Sequence, residues 1–332
     1  MERDVPIPVT VLTGFLGAGK TTVLNHVLRA AHGQRIAVIE NEFGAAGIDN
    51  ELLEQPQGEE IVEMNNGCLC CTVRGDLVRI LGRLHERRAL GEIRFDRVLI
   101  ETTGLADPAP VAQTFFIEDS IREHYRLDAI VTVVDARHAH LQLSLHGEAQ
   151  EQVAFADRLL ISKSDLVDEP TVAALRGRLA SMNPRATQHL VRHGYIDLDE
   201  ILDIHGFQLD EALRLDPQFL ADASHHHDDA VSSWVYRSTQ PFDLGKLEGC
   251  LALLTGTFGT QLMRYKGVLY VVNDDRRLYF QGVQAMYGGT PGRPWTPDDE
   301  RASTLVFIGR DMPWGLVQDL VAACHQDVET VA

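Results

Sequence analysis

Gly14-Phe15-Leu16-Gly17-Ala18-Gly19-Lys20-Thr21-Thr22 is the stretch from which the rest of this chain can be read. It fits G-x-x-x-x-G-K-[ST], the glycine loop that cradles phosphates. The flanks agree with that motif. Ile7, Val9, Val11 and Leu12 predict a short strand before it, and Val23, Leu24, Val27, Leu28 and Ala31 recur at helical spacing after it. Strand, loop and helix together aim backbone N–H groups and a positive helix end at one point. The expected phosphate contacts are Gly14, Gly17, Ala18, Gly19 and Thr22 in the loop, with Lys20 reaching the β- and γ-phosphates. The Thr21 hydroxyl is expected on Mg²⁺. These residues imply a nucleoside triphosphate as ligand.

The bulk properties narrow the class. A chain of 332 residues suggests two domains, and 30 basic against 48 acidic side chains give a net charge of −18. Such an acidic surface argues against a nucleic-acid binder. Met1-Glu2-Arg3-Asp4 opens no apolar signal region, and no apolar run reaches the length of a membrane span. Five cysteines, three of them within four positions, do not form the pattern of a disulfide framework. The expectation is a cytoplasmic protein of a reducing compartment, without membrane partner.

Further along, apolar runs ending in polar residues predict more buried strands. Arg35–Glu40 runs into Glu40-Asn41-Glu42-Phe43-Gly44, which places acidic residues where α/β sheets bind ligands. Asp96–Glu101 is followed by Thr102-Thr103-Gly104. Glu101 is placed to organise Mg²⁺ through its water shell, and the Gly104 N–H to meet the γ-phosphate. Leu127–Asp135 predicts another strand; Asp135 has no glycine three residues on, so a structural role is expected for it. Ala156–Ile161 leads into Ser162-Lys163-Ser164-Asp165, a variant of the N-K-x-D pattern that reads guanine. There an Asp carboxylate accepts from the ring N1–H and the exocyclic amino group, a pairing adenine cannot supply. Strands alternating with helical segments such as Val172–Met182 predict an α/β fold with a doubly wound, mainly parallel sheet.

Between Glu42 and the strand Asp96–Glu101 lies Cys68-Leu69-Cys70-Cys71. Thiolates are soft ligands suited to zinc or copper(I). Cys68 and Cys70 can face one ion from an extended segment, where residues two apart share a side. Glu40 or Glu42 are the nearest candidates to complete such a site, and buried structural thiols or a redox pair are the other readings of the segment.

The first domain is expected over 1–203, closing with a helix in Leu198–Leu202, and periodicity then fades over 204–229. That linker holds His225-His226-His227, which point in different directions on any regular element and so predict a solvated run rather than a preorganised site. From 230 to 332 a smaller α+β domain is expected. Its strands are Val231–Tyr236, Leu262–Val272, Arg277–Ala285 and Thr304–Ile308, and its helices Leu244–Leu254 and Pro313–Cys324. Cys250 and Cys324 lie on apolar helical faces and belong to its core.

Taken together, the glycine loop, Glu40-Asn-Glu-Phe-Gly44, Cys68-Leu-Cys-Cys71 and Glu101-Thr-Thr-Gly104 resemble the CobW/YjiA-type family of P-loop GTPases, within the metal-center assembly GTPases. Arg264-Tyr-Lys-Gly267 and Phe280-Gln-Gly-Val283 resemble that family's C-terminal domain, and Ala106-Asp-Pro-Ala-Pro110 through Gln113-Thr-Phe-Phe116 is similar to the YjiA-like bacterial branch. The resemblance implies slow GTP hydrolysis with Mg²⁺, a transition metal such as zinc, cobalt or nickel, and a metallochaperone serving a client metalloprotein. By position it implies Gly17 to Thr22 on the phosphates and Mg²⁺, and Ser162, Lys163 and Asp165 on guanine; Lys20, Glu101 and Glu42 are the residues expected to serve hydrolysis. For the metal it implies Cys68, Cys70, Cys71, Glu40 and Glu42, with Thr21 and Glu101 on magnesium. The chain departs from the family at Ser162, where Asn is usual, and at Glu118, where YjiA-like relatives can offer His. A P-loop ATPase or kinase with structural cysteines, a passive zinc store and a cobalt-handling relative are the competing expectations. Homo-oligomerisation is left open.

Overall fold

The computed structural model describes residues 6–30, 33–40, 60–63, 72–206, 230–297 and 299–326, without the side chains of 60–63 and 72–74. The chain divides into two units, Met1–Ala180 with Ala186–Phe207, and Ser181–Arg185 with Gln208–Ala332.

The first unit is built on strands β1 (Ile7–Gly14), β2 (Ile36–Glu40), β3 (Glu60–Glu63), β4 (Arg97–Glu101), β5 (Tyr125–Asp135), β6 (Arg158–Ser162) and β7 (Thr187–Leu190). They pair in the order β3-β2-β4-β1-β5-β6-β7, and every pairing is parallel. A sheet covered on both faces requires near-continuous apolar strands, and Ile36–Ile39 and Leu159–Ile161 are buried without alternation. The glycine loop connects β1 to the helix Lys20–Arg29, whose Val23, Leu24, Val27 and Leu28 pack into the sheet core with Leu12, Val131 and Val133. The chain adds β2, β3 and β4 on one side of β1 and β5, β6 and β7 on the other. The carboxyl end of β1 is therefore the topological switch point, where such sheets bind ligands. Gly14, Glu40, Glu101, Asp135 and Ser162 are each the last residue of a strand at that edge.

Five details differ from the sequence reading. The strand Glu60–Glu63, the edge strand Thr187–Leu190 and the helix Thr72–Ala89 were not anticipated. The helix expected over Leu198–Leu202 is a single 3₁₀ turn, Leu198–Glu200, because Ile201 and Leu202 turn inward and are buried. The linker expected from Ile204 does not start there. Asp128, fully buried in β5, accepts from the N–H of Ile204 at 3.2 Å and of His205 at 2.9 Å, while Arg97 pairs with Asp203 at 2.5 Å. An interior carboxylate needs such donors, so the chain stays pinned through His205. The rest of the expected linker, with His225, His226 and His227, lies outside the described residues.

The second unit holds an antiparallel sheet of β8 (Val231–Ser238), β9 (Leu262–Leu269), β10 (Arg276–Val283), β11 (Met286–Pro294) and β12 (Ser303–Arg310), in the order β11-β10-β9-β12-β8. The helices Leu244–Phe258 and Trp314–Ala322 pack on it through Leu247, Leu251, Leu254, Val317 and Val321. Cys250 and Cys324 are buried free thiols in that core, as expected. β9 stops at Leu269, short of the anticipated Val272, and β11 was not foreseen.

Candidate functional site

The glycine loop is shaped as an open concavity. Gly17 and Gly19 have positive φ, and a Cβ on either would meet nothing within 4 Å. The Lys20 side chain is buried, and its Nζ donates to the Gly14 carbonyl at 2.9 Å and the Phe15 carbonyl at 3.4 Å, which curls it over the loop. Thr21 Oγ1 donates to Glu101 Oε1 at 3.2 Å. This contact follows from the sheet, since Glu101 lies beside Leu12 in the β1–β4 register. The strand ends are laced further by Thr102 Oγ1 to Thr13 Oγ1 at 2.7 Å and the Thr102 N–H to the Leu12 carbonyl at 3.0 Å. Gly104 then passes so close to the loop that a Cβ would sit 2.7 Å from Leu16 N. A hydroxyl and a carboxylate are hard oxygen donors, the set that suits Mg²⁺, so these residues fit the expected ion.

On the other flank the guanine-type segment closes onto the same loop. Ser162 Oγ donates to the Ala18 carbonyl at 2.7 Å and lies 3.3 Å from the Val134 carbonyl. Lys163 takes a left-handed backbone at φ 55° and sends Nζ to the Gly17 carbonyl and to Asp135 Oδ2, both at 2.7 Å. Asp165 sits in the 3₁₀ turn Ser164–Leu166. Together with Ala18, Gly19 and Thr22 these residues line a cavity of about 290 Å³. Asp135 is not on the magnesium side: burial raises its carboxyl, but hydrogen bonds from His138 and Lys163 outweigh that and hold it below the usual carboxylate range.

Val23 and Leu166 also line this cavity, and its lining further includes Val191, His193 and Gly194, which the sequence reading missed. His193 and Gly194 both have positive φ, and a Cβ on Gly194 would lie 2.6 Å from Thr22 Cγ2. The turn therefore seats directly on the helix that opens at Lys20. A His-Gly pair just after a short strand was the available signal.

The metal candidates divide. Glu40 is buried at the end of β2, and its backbone stands in register with Glu63 on one side and Glu101 on the other. Glu42, Cys68, Cys70 and Cys71 lie outside the described residues. Among the described residues no group of three or more His, Cys, Asp or Glu is arranged to hold a metal ion. Glu118 caps the helix Ala109–Ile117 with its N–H on the Thr114 carbonyl.

Comparison with known proteins agrees with this architecture. The family described as CobW/HypB/UreG, nucleotide-binding domain, matches residues 8–189, and the cobalamin synthesis protein cobW C-terminal domain matches residues 231–325. The chain is 42% identical over 309 residues to the zinc chaperone YjiA of Escherichia coli, covering 93% of this chain and 95% of that one. It is 33% identical over 349 residues to the zinc chaperone CobW of Pseudomonas aeruginosa, covering 94% of this chain and 90% of the other. The crystal structure of the Zn(II)-bound YjiA GTPase from E. coli superposes with a TM-score of 0.80 at 36% identity, covering 97% of this chain and 100% of that one. A P-loop at the switch point of a parallel sheet, a separate antiparallel unit and matches to both domain families lead to one conclusion: the chain is a member of the CobW family of P-loop GTPases.

Proposed function

We propose that this protein is a GTP hydrolase that binds Mg²⁺·GTP at the switch point of its parallel sheet and couples slow hydrolysis to the binding and delivery of zinc. The observation that carries the guanine reading is that Ser162 and Lys163 donate to the Ala18 and Gly17 carbonyls and line one cavity with Asp165. Zinc is supported by the relatives, which are named as zinc chaperones. Cobalt or nickel remains chemically compatible with a thiolate and carboxylate set.

Each side chain has a role in this reading. Lys20 exchanges its bonds to the loop carbonyls for the β- and γ-phosphates, and the loop N–H groups with the helix N-terminus neutralise the rest. Thr21 and Glu101 hold Mg²⁺, which when bound withdraws charge from the phosphate oxygens. The Gly104 N–H senses the γ-phosphate, and Glu42 orients the attacking water. Asp165 accepts from the guanine edge, and an adenine in its place would leave that carboxylate unpaired. Cys68, Cys70 and Cys71, with Glu40 or Glu42, carry the transferred metal. Glu40, the described member of that set, stands next to Glu101 in the sheet register. Zinc affinity then differs between GTP and GDP states, and by linkage zinc shifts nucleotide affinity by the same factor. The client is a metalloprotein. Among the described residues no helix is long and apolar enough to cross a membrane, and we place the protein in the cytoplasm.

Competition of GTP against ATP tests the nucleotide assignment. GTP should displace bound GDP at far lower concentration than ATP, and Lys20→Ala should abolish binding of both. Equal displacement would favour an ATPase or kinase, and tight GTP binding by Lys20→Ala would overturn the P-loop assignment.

A further inference from the structure

Asp135 ends β5 opposite Ser162 of β6, is 2% exposed, and has no place in the phosphate or magnesium chemistry above. Both of its oxygens are nevertheless filled. Oδ1 accepts from the N–H of Arg137 at 2.9 Å and of His138 at 3.3 Å. Oδ2 meets His138 Nδ1 at 2.9 Å and Lys163 Nζ at 2.7 Å. A carboxylate at that depth is tolerated only with such donors.

The consequence falls on Lys163. A lysine carries a long, entropically costly side chain and ordinarily sends its ammonium to water. Here the backbone is left-handed, a region that disfavours side chains with a Cβ, and Nζ is drawn inward between Asp135 and the Gly17 carbonyl. Two of its three ammonium donors are thereby committed to protein acceptors, although the side chain is 36% exposed. What Lys163 offers to the cavity beside Asp165 is its methylene stem, an apolar wall against which a purine face can lie. The same bridge ties the base side of the site to the phosphate loop, while Lys20 and Thr21 keep their own anchors at Gly14 and Glu101.

We propose that Asp135 is a positioning residue for base recognition, which acts by clamping Lys163 in the pose that forms one wall of the base cavity and links it to Gly17. The proposal rests on the guanine-nucleotide reading given above. It predicts a selective defect. Loss of the clamp loosens the grip on the nucleoside and spares the grip on the phosphates.

The test uses the full chain with Asp135→Asn, Lys163→Met and the double variant, titrated calorimetrically with Mg²⁺ and either GDP or inorganic triphosphate. Asn keeps an acceptor for the Arg137 and His138 N–H groups and turns an amide NH₂ toward Lys163. Asp135→Asn should weaken GDP about tenfold or more and change triphosphate affinity by less than about twofold. In the Lys163→Met background the same substitution should cost nothing further, because the two act as one unit. An unchanged GDP affinity, an equal loss for triphosphate, or an undiminished loss in the Lys163→Met background would each overturn the proposal. Failure of the guanine reading shows separately, as a wild-type chain that binds ADP as tightly as GDP.

Discussion

Replacing Gly104 with alanine should damage nucleotide binding through a purely steric route. The new Cβ would lie 2.6 Å from Leu16 Cδ2, 2.7 Å from Leu16 N and 2.8 Å from Leu16 Cα. Ordinary contact begins at 3.4 Å, so the backbone nitrogen must retreat by about 0.7 Å, the difference of those two values. The leucine tip can rotate away, but the nitrogen and Cα belong to the glycine loop between Gly14 and Gly17 and have no rotamer to escape into. The other partner is equally constrained, because Thr102 is bonded to Leu12 and Thr13 two residues before Gly104. Overpacking of this kind costs about 1–3 kcal/mol. Taken up by the loop, that is about a 5- to 150-fold loss in affinity for GDP and for a non-hydrolysable GTP analogue. Calorimetric titration measures it, with thermal unfolding of the nucleotide-free protein alongside. Gly82→Ala is the control: it lies in the helix Thr72–Ala89 and its Cβ would meet nothing within 4 Å. That change should leave nucleotide affinity intact and stabilise the chain by about 0.4–1 kcal/mol. A Gly104→Ala protein that binds GDP within twofold of wild type would refute the claim that this turn and the phosphate loop are in rigid contact.

Other expectations separate the parts of the site. Ser162→Ala removes the hydroxyl that holds the Ala18 carbonyl, at about 1 kcal/mol, so GDP affinity should fall about fivefold. Its preference for GTP over ATP should stay, whereas Asp165→Ala should erase that preference; competition binding reads both. His189 gives a pH expectation. Burial holds its imidazole below the ordinary value, and Glu200 at 3.2 Å pulls the other way without reversing this. The unfolded chain therefore takes up more protons as pH falls below about 6.5, and the stability present above that value is lost on acidification. His189→Gln should flatten the fall in urea midpoint between pH 7 and pH 5; an unchanged slope would contradict the assignment.

How much could be read before the structure follows from where each signal resides. The strand–loop–helix at Gly14–Thr22 and the strands ending in Glu40, Glu101 and Asp135 were legible because buried parallel strands must be apolar along their whole length. Thr187–Leu190 was not, because it is an edge strand with no fully buried residue, held by its ladder to β6. Met286–Pro294 reads as loop from its glycines and prolines, and only an edge position tolerates them. The helix Thr72–Ala89 was within reach, since Leu77, Ile80, Leu81 and Leu84 are buried at helical spacing. Within the site, Lys20, Thr21, Glu101 and Asp165 announce themselves by motif. Asp135 and the His193-Gly194 turn do not. Their parts depend on contacts with Lys163 and Thr22 that are distant in sequence and are set by the order of strands around β1.

The account stands on coupling between the nucleotide and the transferred metal. The most direct measurement is a competition titration of zinc under anaerobic conditions, first with bound GDP and then with a non-hydrolysable GTP analogue. Cobalt is run in parallel, and a Cys70→Ala variant serves as control. The account predicts that the zinc constant shifts between the two nucleotide states and that the variant loses the shift. Identical constants in both states would contradict it and leave the cysteines as structural thiols or a passive store.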